Sequence, residues 1–307
     1  MQDKNTRTPP ETQKLIPFEL AFARYEAIRD RLPPATTPVD ARLGSSLMDT
    51  TDHFDGYLFD SFGVLNVGDT AIAGAAECLT GLRRRHKPFC ILTNAASYTS
   101  AEAFHKYQRL GLDVRREEIL SSRDVLFRHL EIRYPGLRWG AIAAPEDTFA
   151  DTRSDLSHLH ESDWDAVEGF LFLSAAGWSE ADQERLIASL LRNPRPVLVG
   201  NPDLVAPREG GLTVEPGFWA HDLQDRTGIP VGYFGKPFPE AFFAAAERIG
   251  QGRLAMVGDT LHTDILGGQA AGHGTILVTR HGLFADRPVE RFIQQSGITP
   301  TWIIPTI

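Results

Sequence analysis

Cysteine is scarce in this sequence: Cys78 and Cys90 are the only two. Both lie in apolar segments and read as small buried hydrophobes in a reducing compartment rather than as a disulfide. Basic charge is in deficit as well. Against 31 Lys and Arg stand 40 Asp and Glu, a formal net charge of −9, and a nucleic-acid partner normally needs a basic face. No apolar run reaches the ~18 residues that span a bilayer. The opening MQDKNTRTPPETQK has no hydrophobic stretch of the secretory type. No internal repeat or low-complexity tract stands out. The expectation is a cytoplasmic protein that engages neither nucleic acid nor membrane. Its 307 residues, 42% hydrophobic and 23% charged, suit one or two soluble domains.

Order along the chain follows hydrophobic pattern. Residues 1–14 are polar, contain prolines and are expected to be loosely attached. IPFELAFARYEAIRDRL (16–32) has apolar residues at helical spacing and predicts an amphipathic helix ended by Pro33–Pro34, with a linker to about Ser46. From Tyr57, buried strands and helices alternate: strand 57–60, a helix through GAAECLTGLRRRH, strand PFCILTN, and a helix from about Ser100. A middle stretch, roughly 122–230, has strands at 139–145, 167–173 and 196–203 and helices near 123–133 and 180–192, and reads as an inserted α/β unit. Alternation resumes with VGYFGKP, a helix PEAFFAAAERIG, strand LAMVGDT, a helix from about 263, and strand GTILVTRHG. Such alternation predicts a parallel sheet with helical crossovers.

One stretch poses a chemical question. In GYLFDSFGVLNVGD (56–69) a buried strand ends in a carboxylate, and an ionised group beside an apolar core must be paired or metal-bound. Gly63 and Gly68 let backbone come close to something small. In an open parallel sheet, ligands bind beyond the carboxyl ends of the strands. Four such ends carry polar residues: Asp60, then Thr93 with Asn94, then Lys236, then Asp259 with Asp264. Each has a plain alternative. The Asp caps a turn, the Thr caps a helix, the Lys is solvated, and the last acids face a helix dipole.

Taken together, order and spacing make the chain resemble the haloacid-dehalogenase-like (HAD) superfamily of hydrolases. The likeness is to the 4-nitrophenylphosphatase-like branch, subfamily IIA, whose cap is inserted between the second and third motifs. The motifs fall in 56–74, 89–97, 231–248 and 254–282, and NPDLVAPREGG of the insert is similar too. The resemblance implies an α/β fold with a three-layer Rossmann-like core (51–121 and 231–307), an inserted α/β cap (122–230) and an N-terminal extension (1–50) with one helix packed on the core. It implies a magnesium-dependent phosphohydrolase acting on a small phosphorylated metabolite. Asp60 is then the nucleophile that becomes an aspartyl phosphate, Thr93 binds the transferring group, and Lys236 neutralises both. Asp60, the Phe62 backbone carbonyl and Asp259 would hold Mg2+, with Asp264 behind them. Asn94, Asn201 and Asp203 would contact substrate. A homodimer is also implied.

The pattern breaks at Phe62. Phosphatases of this family carry there a second aspartate that protonates the leaving alcohol and activates water, work worth ~10²–10⁴ in rate. Three readings stay open: a phosphohydrolase with an activated substrate or an acid from the cap, a dehalogenase-type enzyme, and a module that binds a phosphate compound with little turnover. His221 and His262 are candidate acids by location. Trp219 is a candidate stacking surface, or a core residue. Arg208 and Arg280 are candidate anion contacts, and Ser97 and Tyr98 candidate helix caps.

Overall fold

The computed structural model describes residues 14–36, 40–208 and 211–307. The tail expected to be loosely attached therefore lies, but for Lys14, outside the described residues. Seven parallel strands form the larger sheet among them. Their order is Arg42–Leu43, Trp302–Ile304, Gly274–Val278, Leu254–Gly258, Gly56–Phe59, Phe89–Thr93 and Ile119–Ser121. Side chains alternate across a strand, so Tyr57 and Phe59 enter one apolar cluster with Leu79, Leu82, Ala103 and Tyr107. Leu58, Cys90, Leu92 and Met256 enter the other, covered by Ala241, Phe242 and Ala245. Helices Ala75–Arg84 and Ser100–Arg109 cover the first face and Pro239–Ile249 the second. The result is the parallel sheet with helical crossovers that the alternation predicts, in the three-layer form that the family resemblance implies. Cys78 and Cys90 are both free and buried.

Strand order locates the place where chemistry is possible. After Gly56–Phe59 the chain builds outward through Phe89–Thr93 and Ile119–Ser121, leaves the sheet, and returns on the opposite side at Leu254–Gly258. The carboxyl end of Gly56–Phe59 is thus a topological switch point, where diverging crossovers leave a crevice. Asp60 stands there.

The intervening residues form a second parallel sheet, ordered Val231–Tyr233, Val197–Val199, Gly169–Phe172, Arg138–Ile142 and Asp155–His158. Its faces are covered by Leu126, Phe127 and Leu130 of helix Ser122–Arg133, and by Leu186, Leu190, Ala220 and Leu223 of helices Glu180–Arg192 and Pro216–Thr227. One correction follows. The strand at 231–233, placed in the core by the expected boundary, pairs with Val197–Val199 in this second sheet. Both sheets are parallel and buried, so the apolar run itself does not say which one it joins.

The N-terminal segment also differs from expectation. Its helix is shorter than 16–32, running Phe18–Ala27 from an extended Pro17 and followed by a 3-10 turn at Arg29–Arg31. It does not rest on the core alone. Phe18 packs edge-on against Phe284 and Phe292 of the core. Leu15–Ile16 instead pairs with Gly211–Val214, which pairs with Val205–Arg208, an antiparallel trio attached to the second sheet's side. Arg24 and Arg31 both pair with Asp225 of helix Pro216–Thr227. The segment bridges the two sheets.

Candidate active site

The core strands and the loop after Val231–Tyr233 of the second sheet deliver side chains into one crevice. Lys236 is 2% exposed. Its Nζ lies 2.5 Å from Asp60 Oδ1 and 2.8 Å from Asp264 Oδ1. Burial works against its charge, but Asp264, Asp60 and Asp203 hold its pKa well above the ordinary lysine value, so it is an ammonium. Asn94 fixes the Lys236 backbone from both sides: its Oδ1 accepts the Lys236 N–H at 2.7 Å, and its Nδ2 donates to the Lys236 carbonyl at 2.8 Å. A side chain at Gly235, φ +122°, would place a Cβ 2.5 Å from Asn94 Oδ1, so only glycine suits the approach. Thr93 is 5% exposed and its Oγ1 accepts the Ala95 N–H, which leaves the hydroxyl proton to be donated. The cap of the helix that follows is Thr99, in a capping box with Glu102, and not Ser97 or Tyr98.

Opposite Lys236 the acids gather. One carboxylate oxygen from each of Asp60, Asp259 and Asp264 falls within 4.8 Å of the others. Asp259 accepts the Leu283 N–H at 2.7 Å and the Thr260 hydroxyl at 3.1 Å. Even so, burial and the charges of Asp60 and Asp264 hold its pKa well above the carboxylate range. Asp264 is pushed up to about 6 by burial, with Lys236 opposing. Three acids share one ammonium, so the cluster lacks positive charge. Its donors are hard oxygens, the set a divalent cation such as Mg2+ takes. Backbone wraps Asp259 closely: a Cβ at Gly63 or Gly282, both at positive φ, would come within 2.6 Å or 1.9 Å of Asp259 Oδ2. Asp264, expected behind the ligands, stands in the cluster itself.

The turn after Asp60 is held from below. Tyr107 donates to Ser61 Oγ, Ser61 to Asn66 Oδ1, and Asn66 Nδ2 to the Gly68 carbonyl. Phe62 lies on this turn with its ring under the Lys106 ammonium, 4.4 Å from Nζ to the ring centroid. Lys106 and Tyr98 line the hollow beside Phe62 and Thr93. Nothing in the sequence singles Lys106 out, since it is one lysine on a helix with a polar face.

Residues of the inserted unit are sorted by their partners. Asp203 reaches the core: its Oδ1 accepts from Asn94 Nδ2 at 2.8 Å. Asn201 does not; its Oδ1 accepts the Asp203 N–H and its Nδ2 donates to Glu215, so it builds the turn. His221 faces away, its Nδ1 3.0 Å from the Tyr233 hydroxyl. Burial, then Arg31 and Arg24, push its pKa down to about 3, so the ring is neutral and cannot serve as an acid. His262 Nε2 lies 2.5 Å from Glu26 Oε1, and its ring stacks on Tyr25. Trp219, 5% exposed, is a core residue. Arg280 is exposed, and the Arg208 side chain lies outside the described set. One residue went unread in the sequence. Tyr25, buried on the N-terminal helix, accepts the Leu204 N–H with its hydroxyl. No spacing signal distinguishes it from the rest of its apolar stripe.

Known proteins are similar to this chain in sequence and in fold. A family model described as haloacid dehalogenase-like hydrolase matches residues 57–151, and a HAD-hydrolase-like model matches residues 233–307. An acid sugar phosphatase of Staphylococcus epidermidis is 28% identical over 256 residues, 81% of this chain and 94% of its own. A dihydroxyacetone phosphatase of Corynebacterium glutamicum is 27% identical over 82% of this chain and 88% of its own. Among solved structures, a "possible sugar phosphatase" of Cytophaga hutchinsonii superposes with a TM-score of 0.77 at 24% identity, covering 87% of this chain and 98% of that one. The p-nitrophenyl phosphatase of Archaeoglobus fulgidus gives 0.71 at 22% identity, covering 82% and 96%. At these identities the structural likeness speaks for the fold.

Proposed function

Since the chain belongs to the haloacid dehalogenase-like hydrolases, we propose that it is a magnesium-dependent phosphohydrolase of small phosphorylated metabolites, sugar or triose phosphates being the class its relatives' names suggest. One observation carries this reading. At the sheet's switch point a carboxylate with 14% side-chain exposure, Asp60, is paired with a buried ammonium and flanked by two further acids. Asp60 attacks phosphorus as the bond to the leaving oxygen breaks, and water later frees phosphate and restores the carboxylate. Lys236 neutralises charge on Asp60 and on the transferring oxygens. The Thr93 hydroxyl donates to those oxygens, and Asn94 holds Lys236 in register. Asp60, Asp259 and the Phe62 carbonyl would hold Mg2+, with Asp264 fixing Lys236. The ion, when bound, neutralises phosphoryl charge as Lys236 does from the other side.

The test is phosphate release with magnesium, wild type beside Asp60→Asn, from 4-nitrophenyl phosphate and from glycerol 3-phosphate. Release that disappears in the variant supports the reading. Phe62 favours a second reading, a module that binds a phosphate compound without turning it over. For that module, thermal stabilisation by the ligand without release is the expected result. A dehalogenase-type enzyme has no use for Asp259 and Asp264, and halide release that survives a chelator is the result that would bring it back.

A further inference from the structure

Phe62 removes a proton donor, and the fold offers few replacements. The His221 ring is paired with the Tyr233 hydroxyl, and the His262 ring with Glu26 of the N-terminal helix. Lys236 is spent between Asp60 and Asp264. Asp259 and Asp264 belong to the acid cluster. The Thr93 hydroxyl is an ordinary alcohol. One carboxyl enters from outside the core, that of Asp203, on the loop after strand Val197–Val199.

Hydrogen bonds hold the loop on both sides of Asp203. Asn201 Oδ1 accepts the Asp203 N–H, and the Gly217 N–H donates to the Asp203 carbonyl at 3.1 Å. The next amide, Leu204 N–H, donates to the Tyr25 hydroxyl. A side chain at Gly217 would collide with the Pro202 carbonyl at 2.1 Å. A carboxyl so mounted has one aim, and the Asn94 amide defines it. Nδ2 of Asn94 holds Asp203 Oδ1 at 2.8 Å and grips the Lys236 carbonyl with the same nitrogen. Oδ2, the other oxygen, is left to carry a proton. The carboxyl stands where the inserted unit meets the core, bonded to Asn94 and within electrostatic reach of Asp60, Lys236 and Asp264.

Groups facing Asp203 come from every neighbouring element: Asp60, Lys236, Asp264, Asn94 and the Tyr25 hydroxyl. Burial is the largest influence. Asp60 and Asp264 oppose ionisation, Lys236 and Asn94 favour it, and the carboxyl is pushed up to about 8. It therefore holds its proton at neutral pH, as a leaving-group acid must.

We propose that Asp203 is the acid–base residue of this enzyme, taking from the cap side the role that Phe62 vacates. The proposal rests on the phosphohydrolase reading above. In the first step an Asp60 oxygen bonds to phosphorus, the phosphorus–alcohol bond breaks, and the departing oxygen takes the Asp203 proton. In the second, water attacks phosphorus and gives its proton to the Asp203 carboxylate. The bond to Asp60 breaks, phosphate leaves, and both side chains return to their starting states.

A good leaving group needs no acid, and that separates the role from a structural one. With the full-length chain and magnesium, kcat/KM is measured for 4-nitrophenyl phosphate and for glycerol 3-phosphate in wild type and Asp203→Asn. The variant is expected to lose about 10²–10⁴-fold on the alkyl phosphate and a few-fold at most on the aryl phosphate. It should also release one nitrophenolate per chain in a burst, because hydrolysis of the Asp60 acyl phosphate has lost its base. Equal losses on both substrates without a burst, or no loss on either, overturn the proposal. The wild type gives a second check that does not depend on the variant folding. Across aryl and alkyl phosphates of increasing leaving-group basicity its kcat/KM should change little, and a steep fall overturns the assignment. Failure of the underlying reading looks different. Wild type then releases phosphate from neither substrate, or Asp60→Asn releases it as fast, and the acid assignment falls with it.

Discussion

Two sets of buried charges meet at the same loop, residues 93–97, and they are built oppositely. Arg123, fully buried at the start of helix Ser122–Arg133, points its fork at Asp147 and Asp151. Nε and Nη2 bond Asp151, Nη1 and Nη2 bond Asp147, and Nη1 also donates to the Ala96 carbonyl. All five donors are used, and the two acids hold the guanidinium well above its ordinary pKa. The set is closed. At Asp60 three acids share one lysine, two of them pushed upward by burial and by the charge of Asp60. That set is open, with room in the charge balance for a cation and a phosphoryl group. Burial alone therefore does not mark a site. A charge cluster that satisfies itself is architecture, and one that lacks a partner is chemistry.

Breaking the closed set should have the largest effect. Arg123→Met leaves two acids unpaired, and a loss of about 3–5 kcal/mol is expected in urea unfolding. Replacing Asp147 and Asp151 by leucine in the same chain should recover most of it. If Arg123→Met alone is tolerated, the set is not closed as described.

His221 gives a pH-dependent version on the cap side. Its folded pKa, about 3, lies below the ordinary 6.5, so its stabilising contribution is complete above pH ~6.5 and is lost as pH falls toward 3. Between pH 7 and pH 5 the chain should lose about 2 kcal/mol through this group. His221→Gln should flatten that part of the stability curve, and an unchanged slope would refute the assignment.

The open set should respond in the reverse sense. Asp259→Asn relieves repulsion, so the metal-free protein is expected to gain about 0.5–2 kcal/mol while losing phosphate release and any thermal shift from magnesium. A destabilisation as large as that of Arg123→Met would erase the contrast between the two sets. The smallest effect belongs to Tyr25→Phe, which keeps the ring on His262 but drops the bond from Leu204. About 1 kcal/mol of stability and a lowered kcat on alkyl phosphates with a lesser change in KM are expected. The same parameters as wild type would show that the Asp203 loop holds its place without this hydroxyl.

Much of the core was legible because it is local. A buried run such as YLF must be a strand, and a polar residue just past its end must face the sheet's carboxyl edge. Asp60, Thr93, Asn94 and Asp259 follow that rule on the core sheet, whereas Lys236 follows a strand of the second sheet and Asp264 lies in the helical turn after Leu254–Gly258. The cap loop was half legible: NPD announces a turn, but Asn201 is consumed in making it while Asp203 faces the core. The antiparallel trio around Gly211–Val214 and the edge strand Asp155–His158 were not read at all. They are short, and the edge strand alternates only between exposed and half-buried residues.

What the sequence determined by itself is the alternating α/β core, the residues at its strand ends, and a phenylalanine two positions after Asp60. All of these depend on periodicity and on residue chemistry within a few positions. Tertiary structure alone decided that Val231–Tyr233 joins the second sheet, that the N-terminal helix links the two, and that Arg123 is satisfied where Asp259 is not. Each of those rests on partners tens to hundreds of residues apart, such as Tyr25 with Leu204, separated by 179 positions. Pairing across such distances is set by how the layers pack, and a linear pattern carries no trace of it.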